Sequence, residues 1–204
     1  MKIPEFVSPI PTPDPILIPA IQARLDDLTK PPGSLGRLEE LALRYCLCRN
    51  HTAPRFEKLH VLTFAGDHGI TDEKITPFPR EVTPQMVLNM ARGGAAVSVM
   101  CRTAGIEYHV VDAGVDHDFP SHPSILIRKV RRGTRNFAIE AAMTDTECEE
   151  ALRVGYDLVG EWDVDIFGIG EMGIGNSSAA SALYSLVLGK DVQETVGPGT
   201  GSHG

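Results

Sequence analysis

Apolar positions recur at helical spacing through the first fifty residues. "ILIPAIQARLDDLTK" (16–30) reads as an amphipathic helix, stopped by Pro31-Pro32, because a proline pushes the residue before it out of helical geometry. "SLGRLEELALRYCLCRN" (34–50) repeats the pattern, with Ser34 placed as its N-cap. Ahead of both, residues 1–15 carry five prolines and read as an extended arm.

From residue 58 the period shortens. "KLHVLTFAGDHG" (58–69) holds a continuous apolar run, Val61 to Ala65, of a length that suits a buried strand. "TPQMVLNMARGGAAVSVMCRTAG" (83–105) predicts one long helix, capped by Thr83, with Pro84 in the first turn and Gly105 as terminator. "IEYHVVDAGV" (106–115) predicts the second strand. A polar stretch, 116–142, follows, in which "ILIRKV" predicts an edge strand. "TDTECEEALRVGYDLVGEW" (144–162) opens with the T-x-x-E capping box, Thr144 and Glu147. "VDIFGIG" (164–170) predicts another strand, and "NSSAASALYSLVLG" (176–189) a helix that ends at Gly189.

Strands alternating with helices imply an α/β fold, a Rossmann-like parallel sheet with helices on both faces. The two opening helices precede any strand and read as an appendage. The expected division is 1–52, an arm and two helices, and 53–204, an α/β nucleotide-binding domain. In such a sheet ligands bind beyond the carboxyl ends of the strands. Asp67, His68, Asp112, Glu171 and Asn176 all fall at such ends.

Composition narrows the partners. A net charge of −8 argues against nucleic acid, although backbone N–H groups can still hold one phosphate in an acidic protein. No apolar window is long enough to span a membrane, and the Pro-rich start does not resemble a signal peptide, so the expected location is cytoplasmic. Cys46, Cys48, Cys101 and Cys148 form no C-x-x-C pair and read as reduced thiols, with no metal site expected.

The chemistry concentrates in "DIFGIGEMGIGNSSAASAL" (165–183), where four glycines occupy the eight positions 168–175. Gly168, Gly170 and Gly173 spell G-x-G-x-x-G, the start of a dinucleotide fingerprint. That fingerprint also needs an acidic residue about 20 positions on, at the end of another strand. Asp191 lies at about that distance but directly after a helix, so the fingerprint fails. A turn shaped by glycines alone would need fewer of them. A helix N-terminus with free N–H groups, beside the Glu171 carboxylate, suits a ribose phosphate better. "VGPGTG" (196–201) offers a second such turn, with Thr200 supplying a hydroxyl. Asp67 is expected to satisfy turn N–H groups while His68 lines the cleft. Phe78 and Gln85, from "ITPFPREVTPQ" (75–85), could hold a flat heterocycle. Arg92 is a possible anion contact, and His109, His117 and His122 lack ligand-like spacing and are expected to be solvated.

Seven stretches together resemble one family: "KPPGSLGRLEELA" (30–42), "FAGDHGI" (64–70), "REVTPQMVLNMARGGAAVSVM" (80–100), "VVDAGV" (110–115), "GTRNFAIEAAMT" (133–144), "GIGEMGIGNSSAASAL" (168–183) and "VGPGTG". They look like the nicotinate-nucleotide–dimethylbenzimidazole phosphoribosyltransferases of cobalamin lower-ligand assembly. The resemblance implies a large α/β domain plus a small helical one that includes the helices of 1–52, a homodimer, no cofactor, and transfer of 5-phosphoribose from nicotinate mononucleotide to a benzimidazole base. It implies that Glu171 assists beside the ribose. Gly173, Gly175 and Asn176 would form its loop, and Gly199, Thr200 and Gly201 its phosphate turn. Thr76, Phe78 and Gln85 would line the base pocket, Thr76 standing where relatives often have Ser. It also implies that the family continues well past the G-T-G turn and that its general-base glutamate lies there, so that these 204 residues alone are expected to be inactive. The competing expectation is a non-catalytic module that binds nucleotide or is completed by a partner.

Overall fold

The computed structural model describes residues 11–200, and the chain divides between Glu57 and Lys58 into two compact units. Most of the proposed Pro-rich arm therefore lies outside the described residues, as does Gly201.

The first unit contains a 3-10 turn, Pro15–Leu17, and two helices, α1 (Ile18–Asp26) and α2 (Arg37–Cys48). Ser34 does not cap α2. Gly36 precedes it with a positive φ of 53°, and no side chain bonds the free N–H groups there. Instead Glu39, inside the first turn, accepts a hydrogen bond from the Leu35 N–H at 3.0 Å and pairs with Lys30 at 2.9 Å. The ammonium beside it holds the Glu39 carboxyl below its usual range.

The second unit is built on a four-stranded parallel sheet of order β3-β2-β1-β4. Its strands are β1 (Leu59–Gly66), β2 (Glu107–Gly114), β3 (Ile125–Ile127) and β4 (Ile166–Met172). The helices are α3 (Val82–Ala91), α4 (Ala96–Ala104), α5 (Asp145–Glu161), α6 (Asn176–Leu188) and the short α7 (Val192–Thr195). Alternation along β1 sends Ala65 to one face, where it packs with Val87 and Met90 of α3. Leu62 goes to the other face, against Leu158 of α5. The parallel α/β architecture is thus as the periodicity predicts.

Two predicted details differ. The helix expected over 83–105 is two helices. Gly93 takes a left-handed φ of 80°, its N–H donates to Met90 O, and the Gly94 N–H reaches back to Asn89 O. These are the paired bonds of a Schellman stop, which ends α3 although the apolar spacing runs on. Thr83 is no cap either. It is fully buried within α3, and its Oγ1 accepts from the Ile174 N–H at 3.2 Å, pinning the glycine-rich turn after β4 to that helix.

Topology locates the ligand edge. The chain runs outward from β1 to β2 to β3, then returns to lay β4 on the other side of β1. Strand order therefore reverses between β1 and β4. Such a reversal is where open α/β sheets bind ligands, beyond the carboxyl ends of the strands.

Candidate functional site

The segments after β1 and β4 meet at that reversal. A cavity of about 180 Å³ opens beyond the carboxyl ends of the strands, lined by Gly66, Asp67, His68, Gly114, Arg131, Thr134, Glu171 and Asn176, among others. Glu171, the sixth residue of β4, is partly exposed at its rim, and its Oε1 lies 3.9 Å from His68 Nε2.

Glycine is required at the turn that follows. A Cβ at Gly173 would collide with the Gly66 carbonyl oxygen and approach Glu171 Oε1 to 2.7 Å and His68 Nε2 to 2.9 Å. The missing side chain is what lets the β1 and β4 turns interlock. Gly175, at φ 91°, sits before the first turn of α6, and a Cβ there would meet Thr71 Cγ2 at 2.9 Å. No side chain caps α6, so its first N–H groups are not satisfied by an N-cap, next to Asn176 at the cavity wall.

The second glycine turn joins the same neighbourhood. Thr76 Oγ1 and Thr200 Oγ1 lie 3.0 Å apart, linking the loop after β1 to the turn after α7. A Cβ on Gly199 would touch Ser177 Oγ at 3.2 Å, which sets this turn beside the start of α6. Phe78 is half exposed on the loop, its N–H donating to Thr76 Oγ1 at 3.3 Å, and Gln85 is exposed on α3. Neither lines the cavity. Structure thus brings together Glu171, Gly173, Gly175 and Asn176, and joins Thr76 to Thr200, while Phe78 and Gln85 stand apart from the cavity wall.

Asp67 does bond a loop N–H, that of Asp116 at 2.8 Å, through Oδ2. Its Oδ1 is buried without a hydrogen-bond partner, and so is Nη1 of Arg131. Both residues line the cavity, so its wall holds unmet acceptor and donor capacity. Arg131 escaped the sequence reading. The signal was present, since five cations crowd into the eight residues 128–135 of an acidic chain. Asp112, by contrast, is consumed structurally. It is fully buried, accepts from the Val115 N–H and pairs with Lys129 at 3.0 Å. Arg92 ends α3 in an exposed position outside the cavity.

His109 corrects an expectation. It is half-buried rather than solvated, and its Nδ1 lies 2.8 Å from Nε2 of His60, far from the carboxyl edge. His117 is exposed, and half-buried His122 folds locally onto the Ser124 N–H. No disulfide joins the four cysteines, and burial raises the thiol pKa of Cys46 and Cys101. Among the described residues no helix is long and apolar enough to cross a membrane.

A family model described as phosphoribosyltransferase matches residues 10–204. The nicotinate-nucleotide–dimethylbenzimidazole phosphoribosyltransferase of Geobacter sulfurreducens is 50% identical over 200 residues, covering 97% of this chain and 57% of its own length. Its namesake in Chlorobium chlorochromatii is 46% identical over 203 residues, 98% of this chain and 57% of the relative. The crystal structure of CobT from Thermus thermophilus superposes with a TM-score of 0.83 at 41% identity, over 92% of this chain and 57% of that one. The chain spans a little over half the length of these relatives. With the family model matched along almost its whole length, the chain belongs to the nicotinate-nucleotide–dimethylbenzimidazole phosphoribosyltransferase family.

Proposed function

We propose that this chain forms the nucleotide-binding part of an enzyme that moves 5-phosphoribose from nicotinate mononucleotide to 5,6-dimethylbenzimidazole, giving α-ribazole 5′-phosphate and nicotinate. The observation that carries the reading is the convergence of an uncapped helix start, a partly exposed carboxylate and a second glycine turn at the β1/β4 reversal. The phosphate is held by N–H groups at the start of α6 and in the turn 197–201, with the Thr200 hydroxyl beside them. Ribose lies against Glu171, Gly173, Gly175 and Asn176. The base pocket is lined by Thr76, Phe78 and Gln85.

The reaction breaks the bond from C1′ to the pyridinium nitrogen and forms one from C1′ to the benzimidazole nitrogen. The bonding pair of the first neutralises the departing pyridinium ring. C1′ gains oxocarbenium character in between, and the Glu171 carboxylate stabilises that charge in place. Attack from the opposite face inverts the configuration, and a general base takes the benzimidazole N–H proton. The family resemblance assigns that base to a segment outside these 204 residues.

Support for a second reading, a module completed by further polypeptide, comes from the bare apolar surface of β4 and α6. Ile169 and Leu186 are each 80% exposed, Val187 79%. Homodimerisation follows from the family reading, and a cytoplasmic location from the sequence composition. Hydrogen exchange with nicotinate mononucleotide is the test. Protection of 170–176 and 197–201 is expected, and protection of neither loop overturns the assignment.

A further inference from the structure

At the opposite, amino-terminal end of the sheet lies a cluster for which phosphoribosyl transfer has no use. His60 of β1 and Glu107 of β2 are register partners across the sheet, and His109 is two residues further along β2 on the same face. The three side chains offer two imidazole nitrogens and a carboxylate oxygen that all lie within 4.8 Å of one another.

Each member is poised differently. His60 is 1% exposed, with the Trp162 ring centred 4.4 Å away and that of Phe167 5.9 Å away. Its Nε2 shares a hydrogen bond with His109 Nδ1 at 2.8 Å, while its Nδ1 is buried with no partner at all. His109 is half-buried, its ring 5.7 Å from that of Trp162. Glu107 is exposed, giving the cluster an opening to solvent.

We propose that His60, His109 and Glu107 bind a divalent transition-metal ion of the zinc type. Two imidazoles and one carboxylate are a donor set for such ions, with water completing the coordination. Metal–nitrogen bonds of about 2.0–2.1 Å place two tetrahedral ligand nitrogens roughly 3.4 Å apart, so the two rings need only part by about half an ångström. The exchange balances without any net loss of a proton. The single proton now shared by Nε2 of His60 and Nδ1 of His109 moves to the other nitrogen of whichever ring carries it, and both lone pairs turn to the metal. Glu107 supplies the third bond and offsets one positive charge.

The site's position defines its role. It clamps β1 to β2 at the edge remote from the cavity, so it stabilises the sheet and takes no part in the transfer. Affinity is about 10–100-fold weaker than for a site whose histidines are both held from outside, because Nδ1 of His60 lacks the outer hydrogen bond that orients most ligating histidines.

The test titrates the chain with Zn2+ by calorimetry, and with Co2+ by its visible d–d absorption. Thermal unfolding is followed in parallel. One ion per chain, a raised Tm and a low-coordinate Co2+ spectrum are expected. His60→Ala removes a buried ring and can unfold the chain, so His109→Ala and Glu107→Gln are the informative variants, each verified to unfold cooperatively without metal. Both should weaken binding by about tenfold or more, whereas His51→Ala, in the first unit, should not. Absence of saturable binding up to millimolar Zn2+, or parental affinity in either variant, overturns the proposal.

Discussion

One histidine lies near each end of strand β1, His60 inside it and His68 just beyond it, and the two live in opposite worlds. His60, near the amino end, is sealed among Trp162, Phe167 and His109, and burial lowers its pKa below the usual histidine value. His68, just past the carboxyl end, is half-buried at a cavity, 3.9 Å from a partly exposed carboxylate. At the amino end α5 lies over the sheet face and delivers Trp162 as the residue that follows it, so side chains fill the space. At the carboxyl end the chain turns at Gly66, Gly173 and Gly175, and the missing side chains leave backbone close to backbone with room beside it. Packing closes one end, and glycine opens the other.

Breaking the packed end gives the largest expected effect. Trp162→Ala strips the ring that packs on both histidines and should destabilise the chain by about 3 kcal/mol in metal-free denaturant unfolding. Nicotinate mononucleotide binding at the other end of the sheet should be unchanged wherever the variant is folded. Next is Glu171→Gln, tested in a version carrying the family's complete length. The rate of nicotinate release should fall by about 10²-fold, the size of a lost charge-stabilising contact, while Tm moves little because the side chain is partly exposed.

Gly173→Ala probes the open end itself. Its new Cβ has nowhere to go between Gly66, Glu171 and His68, so a cost of about 1–3 kcal/mol is expected, together with loss of exchange protection in 170–176 by nicotinate mononucleotide. The smallest effect is that of pH on the sealed end. Because burial depresses the His60 pKa, the unfolded chain binds more protons than the native one below about pH 6.5. Native stability should therefore fall as pH drops through that range, and metal-free His60→Phe should flatten the dependence. Equal slopes in parent and variant would assign the pH effect to other groups.

A cap at the start of α5 offers a contrast in what is locally encoded. Thr144 and Glu147 exchange hydrogen bonds as the T-x-x-E spacing requires, and Arg135 adds a bidentate contact that brings Glu147 down to a pKa of about 2. The box was legible in four consecutive residues, whereas the arginine arrives from 12 positions away. Likewise Gly105 and Gly189 end their helices in left-handed conformation, as isolated glycines after apolar runs announce. The Gly93-Gly94 break was hidden because apolar spacing on both sides suits one continuous helix, and only the backbone bonds to Met90 and Asn89 end it.

By itself, then, the sequence determined whatever depends on neighbours a few residues apart: the strands and most helix stops, the capping box, and the glycine turns after the strands. Strand order 3-2-1-4 was not among these, since parallel pairing is decided by long crossovers and by which faces bury one another. Tertiary structure alone placed Glu171 opposite His68, gave Thr83 to the turn at Ile174, left Arg131 and Asp67 with unmet hydrogen-bonding atoms in one cavity wall, and paired His60 with His109. Each of these contacts joins residues at least 49 positions apart or two atoms that share only a cavity. Local spacing carries the geometry of one helix or strand, and the meeting of two strand ends is fixed only when the whole sheet has closed around its core.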